Sequence, residues 1–180
     1  MADQNETNVN TDGGAHIGGN ASAGGNLAGR DQTNYYIDLL GDNRTKQYEA
    51  VIVATRKGAT DPAELFFVGF DLSGRNLVGF QLANAQLSNT DLSSAKLSDA
   101  NLSYATLCDA VLRGASLIGA VLTRTDLSGA NLIDAFLFDA NLSGADLSGA
   151  DLGAASYNSK TIWPDGFDPA NTGAILVEGG

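Results

Sequence analysis

Between residues 70 and 159 the hydrophobic positions recur every five residues. Seventeen leucines form an unbroken series, from Leu72 to Leu152 at intervals of five, and Tyr157 takes the eighteenth slot. A small residue stands two positions before most of these slots. It is Ala in 13 of the 18 units, and Thr at Thr90 and Thr125. A helix would spread such leucines around its circumference, because five residues advance about 500°. A long strand would alternate their faces, because five is odd. The pattern therefore predicts a path that turns once per unit and points one Leu and one small residue inward each time.

Ala100-Asn101-Leu102-Ser103-Tyr104, Ala130-Asn131-Leu132-Ile133-Asp134 and Ala145-Asp146-Leu147-Ser148-Gly149 follow the pattern Ala-(Asp/Asn)-Leu-X-X. In this the chain resembles the pentapeptide-repeat family over residues 70–159, half of its length. The resemblance implies an all-β solenoid, a right-handed quadrilateral β-helix, in which each unit is one side and four units close a coil. Eighteen units at four per coil make 4.5 coils. At about 4.8 Å per coil, the rod is roughly 20 Å long. Leu stacks on Leu from the unit 20 residues on, and each buried Leu contributes roughly 1.5–3 kcal/mol before chain entropy is subtracted.

The corners need turn residues. The last position of each unit is expected to be the second central residue of a turn. Gly holds it in seven units (Gly74, Gly79, Gly114, Gly119, Gly129, Gly144 and Gly149), and Asn84 and Asn89 also tolerate positive φ, which fits type II turns. Tyr104 and Arg124 suit positive φ poorly, so type I-like corners are expected there. Phe70 and Phe80 stand where Ala belongs, and Arg75 at an inward slot would bury an unpaired charge. The first coil is thus expected to be distorted or open, with the regular helix starting near Ala85.

The flanking regions differ in character. Residues 1–33 are polar and Gly-rich, with paired glycines at Gly13-Gly14, Gly18-Gly19 and Gly24-Gly25. They read as a flexible tail or as a small Gly-rich solenoid that orders by assembly. The segment Gly24–Asp31 resembles stretches near the start of some multidomain bacterial signalling or defence proteins. Residues 34–69 read as a linker and a short helical N-terminal cap. Within them Tyr48, Val51, Ile52 and Thr55 share a helical face, although Val51-Ile52-Val53 suits a strand equally. Thr60 or Asp61 can begin a further helix with Pro62 at its first position, and Leu65, Phe66 and Phe67 can cover the core end. Residues 160–180 read as the C-terminal cap, with Trp163 and Phe167 flanking the turn sequence Pro164-Asp165-Gly166. Solenoid ends need such covers because they expose core and unpaired strand edges.

Composition narrows the chemistry. Ten basic against 21 acidic residues give a net charge of −11, which argues against direct binding to nucleic acid or an anionic membrane. The charge is spread as −4 over residues 1–69, −5 over 70–159 and −2 over 160–180. One Cys and one His exclude a disulfide framework and a zinc cluster. His16 has no nucleophile near it in sequence, and nothing near Cys108 would lower its pKa. No catalytic, cofactor or metal site is expected. With no leader or membrane-spanning segment visible, a cytoplasmic location is expected.

Outward slots favour polar residues, so apolar ones there are informative. Ile118, Phe136 and Phe138 fall on one face, with Ile133 just around the corner and Val111 one coil earlier. This patch is a candidate for a protein partner or self-association, or for cover by the chain's own 34–58 or 160–180 segments. Tyr104 and Arg124 share a corner slot 20 residues apart and are expected to stack. The leading expectation is a non-enzymatic scaffold for protein interaction or self-assembly. The alternative implied by the resemblance is a DNA-mimicking inhibitor or protector of DNA gyrase. Its acidic stripe is broken here, since Val111 and Arg113 interrupt the face that carries Asp71, Asp91, Asp134 and Asp151.

Overall fold

The protein was described from a computed structural model, which describes residues 47, 48, 51, 52, 54, 55 and 65–178. The chain winds as a right-handed quadrilateral β-helix. The residue before each Leu slot pairs in parallel with its counterpart one coil on: Phe66 with Gln86, Asp71 with Asp91, and so on to Phe136 with Ser156. The second face, that of Leu77, Leu97, Leu117 and Leu137, ends in β1 (Ser156–Tyr157), which pairs in parallel with β2 (Ile175–Leu176).

The five-residue period follows from where each backbone N–H goes. In the unit around Leu72, the Leu72 amide donates to Asp91 O (2.7 Å) and the Gly74 amide to Ser93 O (2.8 Å). The Arg75 amide closes the turn on Leu72 O at 3.1 Å. One coil on, the Asp91 amide donates back to Phe70 O at 2.8 Å. That leaves the amide after the Leu, and a side chain takes it. Asp71 Oδ1 accepts from the Ser73 amide at 3.0 Å. The same bond recurs from Asn76, Asp91, Asn101, Asp126, Asn131, Asn141, Asp146 and Asp151, at 2.9–3.2 Å. Asp and Asn precede Leu so often because their short oxygens reach the one amide the ladder leaves over.

The core is two columns. The Leu column is buried throughout, and Ala fills most of the second. Thr90, Thr125 and Thr161 stand in the Ala column as buried polar residues. Each hydroxyl donates to a Leu-slot carbonyl one coil back: Phe67 O at 2.9 Å, Leu102 O at 2.8 Å and Leu137 O at 2.8 Å. A hydroxyl is tolerated in this column because an acceptor lies directly behind it.

Three expectations need correction. The first coil is neither distorted nor open. Its ladder runs without a break from the Phe66–Gln86 pair, well before Ala85. Phe70 is buried and Phe80 half-buried, while the Arg75 guanidinium lies 5.1 Å from the Tyr48 ring centroid. The Arg75 Nε is buried with no hydrogen-bond partner, so the expected unpaired burial is met at that atom while the coil around it stays regular. Second, the corners at Tyr104 and Arg124 are not type I-like. Their φ values are +60° and +56°, like every other corner from Gly69 to Ala154. Ladder bonds on the corner amides, Tyr104 N to Thr123 O and Arg124 N to Ser143 O at 3.0 Å each, impose the conformation over local preference. Third, the solenoid runs on past residue 159. Asn141 pairs with Ile162, 21 residues on, so the last coil carries one extra residue and places Thr161 in the Ala column.

At the N-terminal end, residues 47, 48, 51, 52, 54 and 55 are helical, which resolves the helix–strand ambiguity for these positions. Gln47 Oε1 accepts from the Asp71 amide (2.8 Å), the Tyr48 hydroxyl donates to Asn76 O (2.7 Å), and Val51 is fully buried. The expectations for residues 1–33, for the linker at the start of residues 34–69 and for a helix start at Thr60–Pro62 fall outside the described residues. At the other end Trp163 meets Tyr157 edge-on and stacks with Phe167, both with centroids 5.3 Å apart. The Phe167 amide closes the Pro164 turn at 3.0 Å, with Gly166 at φ +76°.

Candidate interaction surface

Each coil presents four flat faces, and two side chains per rung point out from each. On the second face one outward column reads Asn76, Lys96, Ser116, Phe136, Ser156 and Ile175. The other, from the residues after each Leu slot, contains Val78, Ser98, Ile118 and Phe138. Phe136 therefore stands between Ser116 and Ser156. It is 43% exposed, Ile118 is 40% exposed, and Phe138 is half-buried with its ring centroid 6.4 Å from that of Phe136. Val111 and Ile133 are half-buried on the first face. Ile133 and Phe136 sit on either side of one corner, while Val111 stands in the first-face column one coil earlier. The segment Ile175–Leu176 extends the ladder beyond Ser156–Tyr157.

Sequence reasoning did not single out the other exposed apolar side chains, among them Val78, Val121 and Ile162. Val78 and Val121 were legible as apolar residues in outward slots. Ile162 was hidden by the extra residue that shifts its register.

The Arg124 guanidinium lies 5.8 Å from the Tyr104 ring centroid. Arg113 Nη2 pairs with Asp134 Oδ2 at 2.9 Å, both side chains being largely exposed, so the contact contributes little to stability. Cys108 Sγ lies 2.9 Å from Ser88 Oγ one coil back. The Asp146 carboxyl is held below its ordinary value by hydrogen bonds from the Ser148 hydroxyl and then the Ser148 amide. Among the described residues no group of three His, Cys, Asp or Glu side chains is placed to hold a metal ion. No helix among them is long and apolar enough to cross a membrane.

The fold and this surface define a class: a square parallel β-solenoid with flat walls. The chain belongs to the pentapeptide-repeat family. The profile of that family, described as Pentapeptide repeats (8 copies), matches residues 67–103, 95–132 and 120–156. No curated protein matches the chain. Among solved structures, the chain is similar to HetL, a pentapeptide repeat protein involved in heterocyst differentiation regulation from the cyanobacterium Nostoc. Identity there is 39% over 57% of this chain and 48% of that one, with a TM-score of 0.49, so the match spans about half of HetL's length. A pentapeptide repeat protein of the Arabidopsis thaliana thylakoid lumen is 33% identical over 51% of this chain and 67% of that one, with a TM-score of 0.43. QnrB1, a plasmid-mediated fluoroquinolone resistance protein, is 19% identical over 62% of this chain and 79% of that one, with a TM-score of 0.40. No enzyme family is indicated by these matches.

Proposed function

We propose that the protein is a non-enzymatic scaffold that binds protein through the wall bearing Ile118, Phe136 and Phe138. The observation that carries this reading is the exposure of Phe136 and Ile118 in a rung geometry that places small polar residues at most other outward slots. Two adjacent aromatic rings on a flat, rigid wall offer apolar contact area at low ordering cost, the composition of an interface core. The occupant we assign is a second copy of this chain. The patch lies on a regular rung ladder, so two such walls can meet face to face about a two-fold axis, as in isologous dimers.

The acidic side chains point away from the DNA-mimic alternative. Asp71, Asp91, Asp126, Asp146 and Asp151 each use Oδ1 to hold a backbone amide, and Asp134 is paired with Arg113. The repeat itself accounts for the first five, each of which takes the amide left over after a Leu slot.

The test compares the parent with Phe136→Ser/Phe138→Ser by light scattering over a range of concentrations, with the melting temperature read in parallel. A parent heavier than monomer that falls to monomer mass in the variant, with the β-helix melting unchanged, supports the reading. Identical solution masses for parent and variant overturn it.

A further inference from the structure

The two ends of the rod are treated differently, and the atoms involved are those of the ladder itself. On the second face each Leu-slot amide donates to the carbonyl one coil further on. Leu77 reaches Lys96 O, Leu97 reaches Ser116 O and Leu137 reaches Ser156 O, each at 2.7 Å, and Leu117 reaches Phe136 O at 2.8 Å. At the C-terminal end Leu176 holds the next Leu slot, opposite Tyr157. The Ile175 and Val177 amides donate back to Ala155 O (2.7 Å) and Tyr157 O (2.8 Å). By strand alternation the Leu176 amide then faces off the end of the rod. Ile175, Leu176 and Val177 are 50%, 48% and 41% exposed there. This is an apolar strand edge of the kind that pairs with a further strand.

At the N-terminal end the corresponding acceptor is the Asn76 carbonyl. In an interior coil, a Leu-slot amide from the coil before would donate to it. Here the Tyr48 hydroxyl does so instead, at 2.7 Å. On the adjoining face Gln47 Oε1 meets the Asp71 amide at 2.8 Å. Its equivalent one coil on, the Asp91 amide, bonds a backbone carbonyl. Two side chains of one helical segment thus occupy the places of a missing coil's backbone groups.

We infer that the Gln47–Tyr48 segment is a plug on a head-to-tail stacking surface, whose partner is the Ile175–Val177 edge of a second copy of this chain. The match is one of register and polarity. All rungs are parallel, so the C-terminal edge of one rod continues the ladder of the next without reversal, and the Leu176 amide addresses the Asn76 carbonyl that Tyr48 covers. With the plug seated, the second copy finds its acceptor taken. With the plug released, a heterologous contact forms that does not close on itself and grows as a linear fibre. This interface uses the ends of the rod and is independent of the wall carrying Phe136.

The experiment compares four full-length proteins: the parent, Leu176→Pro, Gln47→Ala/Tyr48→Ala, and the triple combination. Proline at 176 deletes the outward amide and leaves the inward bonds of residues 175 and 177 in place. Solution mass and electron micrographs are read across concentration, with circular dichroism confirming the β-helix. The expected result is that the Gln47→Ala/Tyr48→Ala protein at least doubles its mean mass and forms rods lengthened along their axis. The triple variant is expected to return to the mass of the parent. A folded double variant with the parent's mass overturns the inference, as does a mass increase over the parent that survives Leu176→Pro. A parent already stacked end to end overturns the plug. Should the double variant lose its β-helix signal, Tyr48→Phe decides in its place. That variant keeps the ring and deletes only the hydroxyl. A mass increase abolished by Leu176→Pro supports the inference, and an unchanged mass overturns it.

Discussion

Leu112→Ala puts the Leu column to a quantitative test. Leu112 is fully buried in the middle of the rod, with Leu92 one coil before it and Leu132 one coil after. Truncation to Ala removes three carbons, worth about 0.8 kcal/mol each or about 2.4 kcal/mol in transfer alone. The remaining question is how far the neighbours relax. The coils on either side are pinned by bonds from Leu92 N to Val111 O and from Leu112 N to Asn131 O, both 2.7 Å. Leu92 and Leu132 therefore cannot close the gap along the axis. At about 24 cal/mol per Å³ of residual cavity, an unfilled space of about 40 Å³ adds about 1 kcal/mol. The expected loss is about 3–4 kcal/mol, read by urea denaturation followed by circular dichroism, with the m-value unchanged. Leu176→Ala is the internal control. It removes the same atoms from a Leu slot that is 48% exposed, and about 1 kcal/mol is expected. Equal costs at the two sites, or a cost at Leu112 below about 1.5 kcal/mol, would refute the idea that stacked leucines hold the coils together.

Two further outcomes are specific to single contacts. In a double-mutant cycle of Tyr104→Ala and Arg124→Ala, a coupling of about 0.5–1 kcal/mol is expected from the stacked ring and guanidinium, and a coupling of zero would leave only two adjacent surface side chains. For Asp146 the folded-state pKa is depressed, so the stability it contributes is present above the unfolded value and lost as pH falls through the folded one. An NMR titration is expected to place its midpoint below the ordinary carboxylate value, with Ser148→Ala moving it upward; an unmoved midpoint would show that Ser148 is not the cause.

The Leu and Ala columns were legible because a period of five has no solution in a single helix or strand. The square coil came from the family resemblance carried by those same columns. The errors cluster where local rules met long-range constraint. Tyr104 and Arg124 were judged by the steric preference of one residue, yet each corner amide is held by a ladder bond that fixes its φ. The Arg75 slot does enclose its Nε without a hydrogen-bond partner, but the ladder bonds of the first coil hold regardless, so the burial does not open the coil. Thr161 was missed because one inserted residue moves it out of the count of five, although its hydroxyl repeats the bond of Thr90 and Thr125. The apolar wall residues were visible in sequence as hydrophobic side chains in outward slots. The pairing of the Gln47 and Tyr48 side chains with the first coil was not, since it depends on how a distant segment docks.

The four-sided coil makes the surface a matter of phase. Core slots are nearly interchangeable from one unit to the next, so deleting or duplicating a single pentapeptide would leave the Leu and Ala columns intact. Every residue beyond that point would nevertheless turn by a quarter of a revolution. Phe136 and Phe138 would swing from one wall to the next without any change in their own rung, while a change of four units would only slide them along the axis. A lineage that gains or loses repeats in such a rod therefore dials its surface in steps of 90° at little cost to the fold, and two relatives of different length can share a core while facing their partners from different sides.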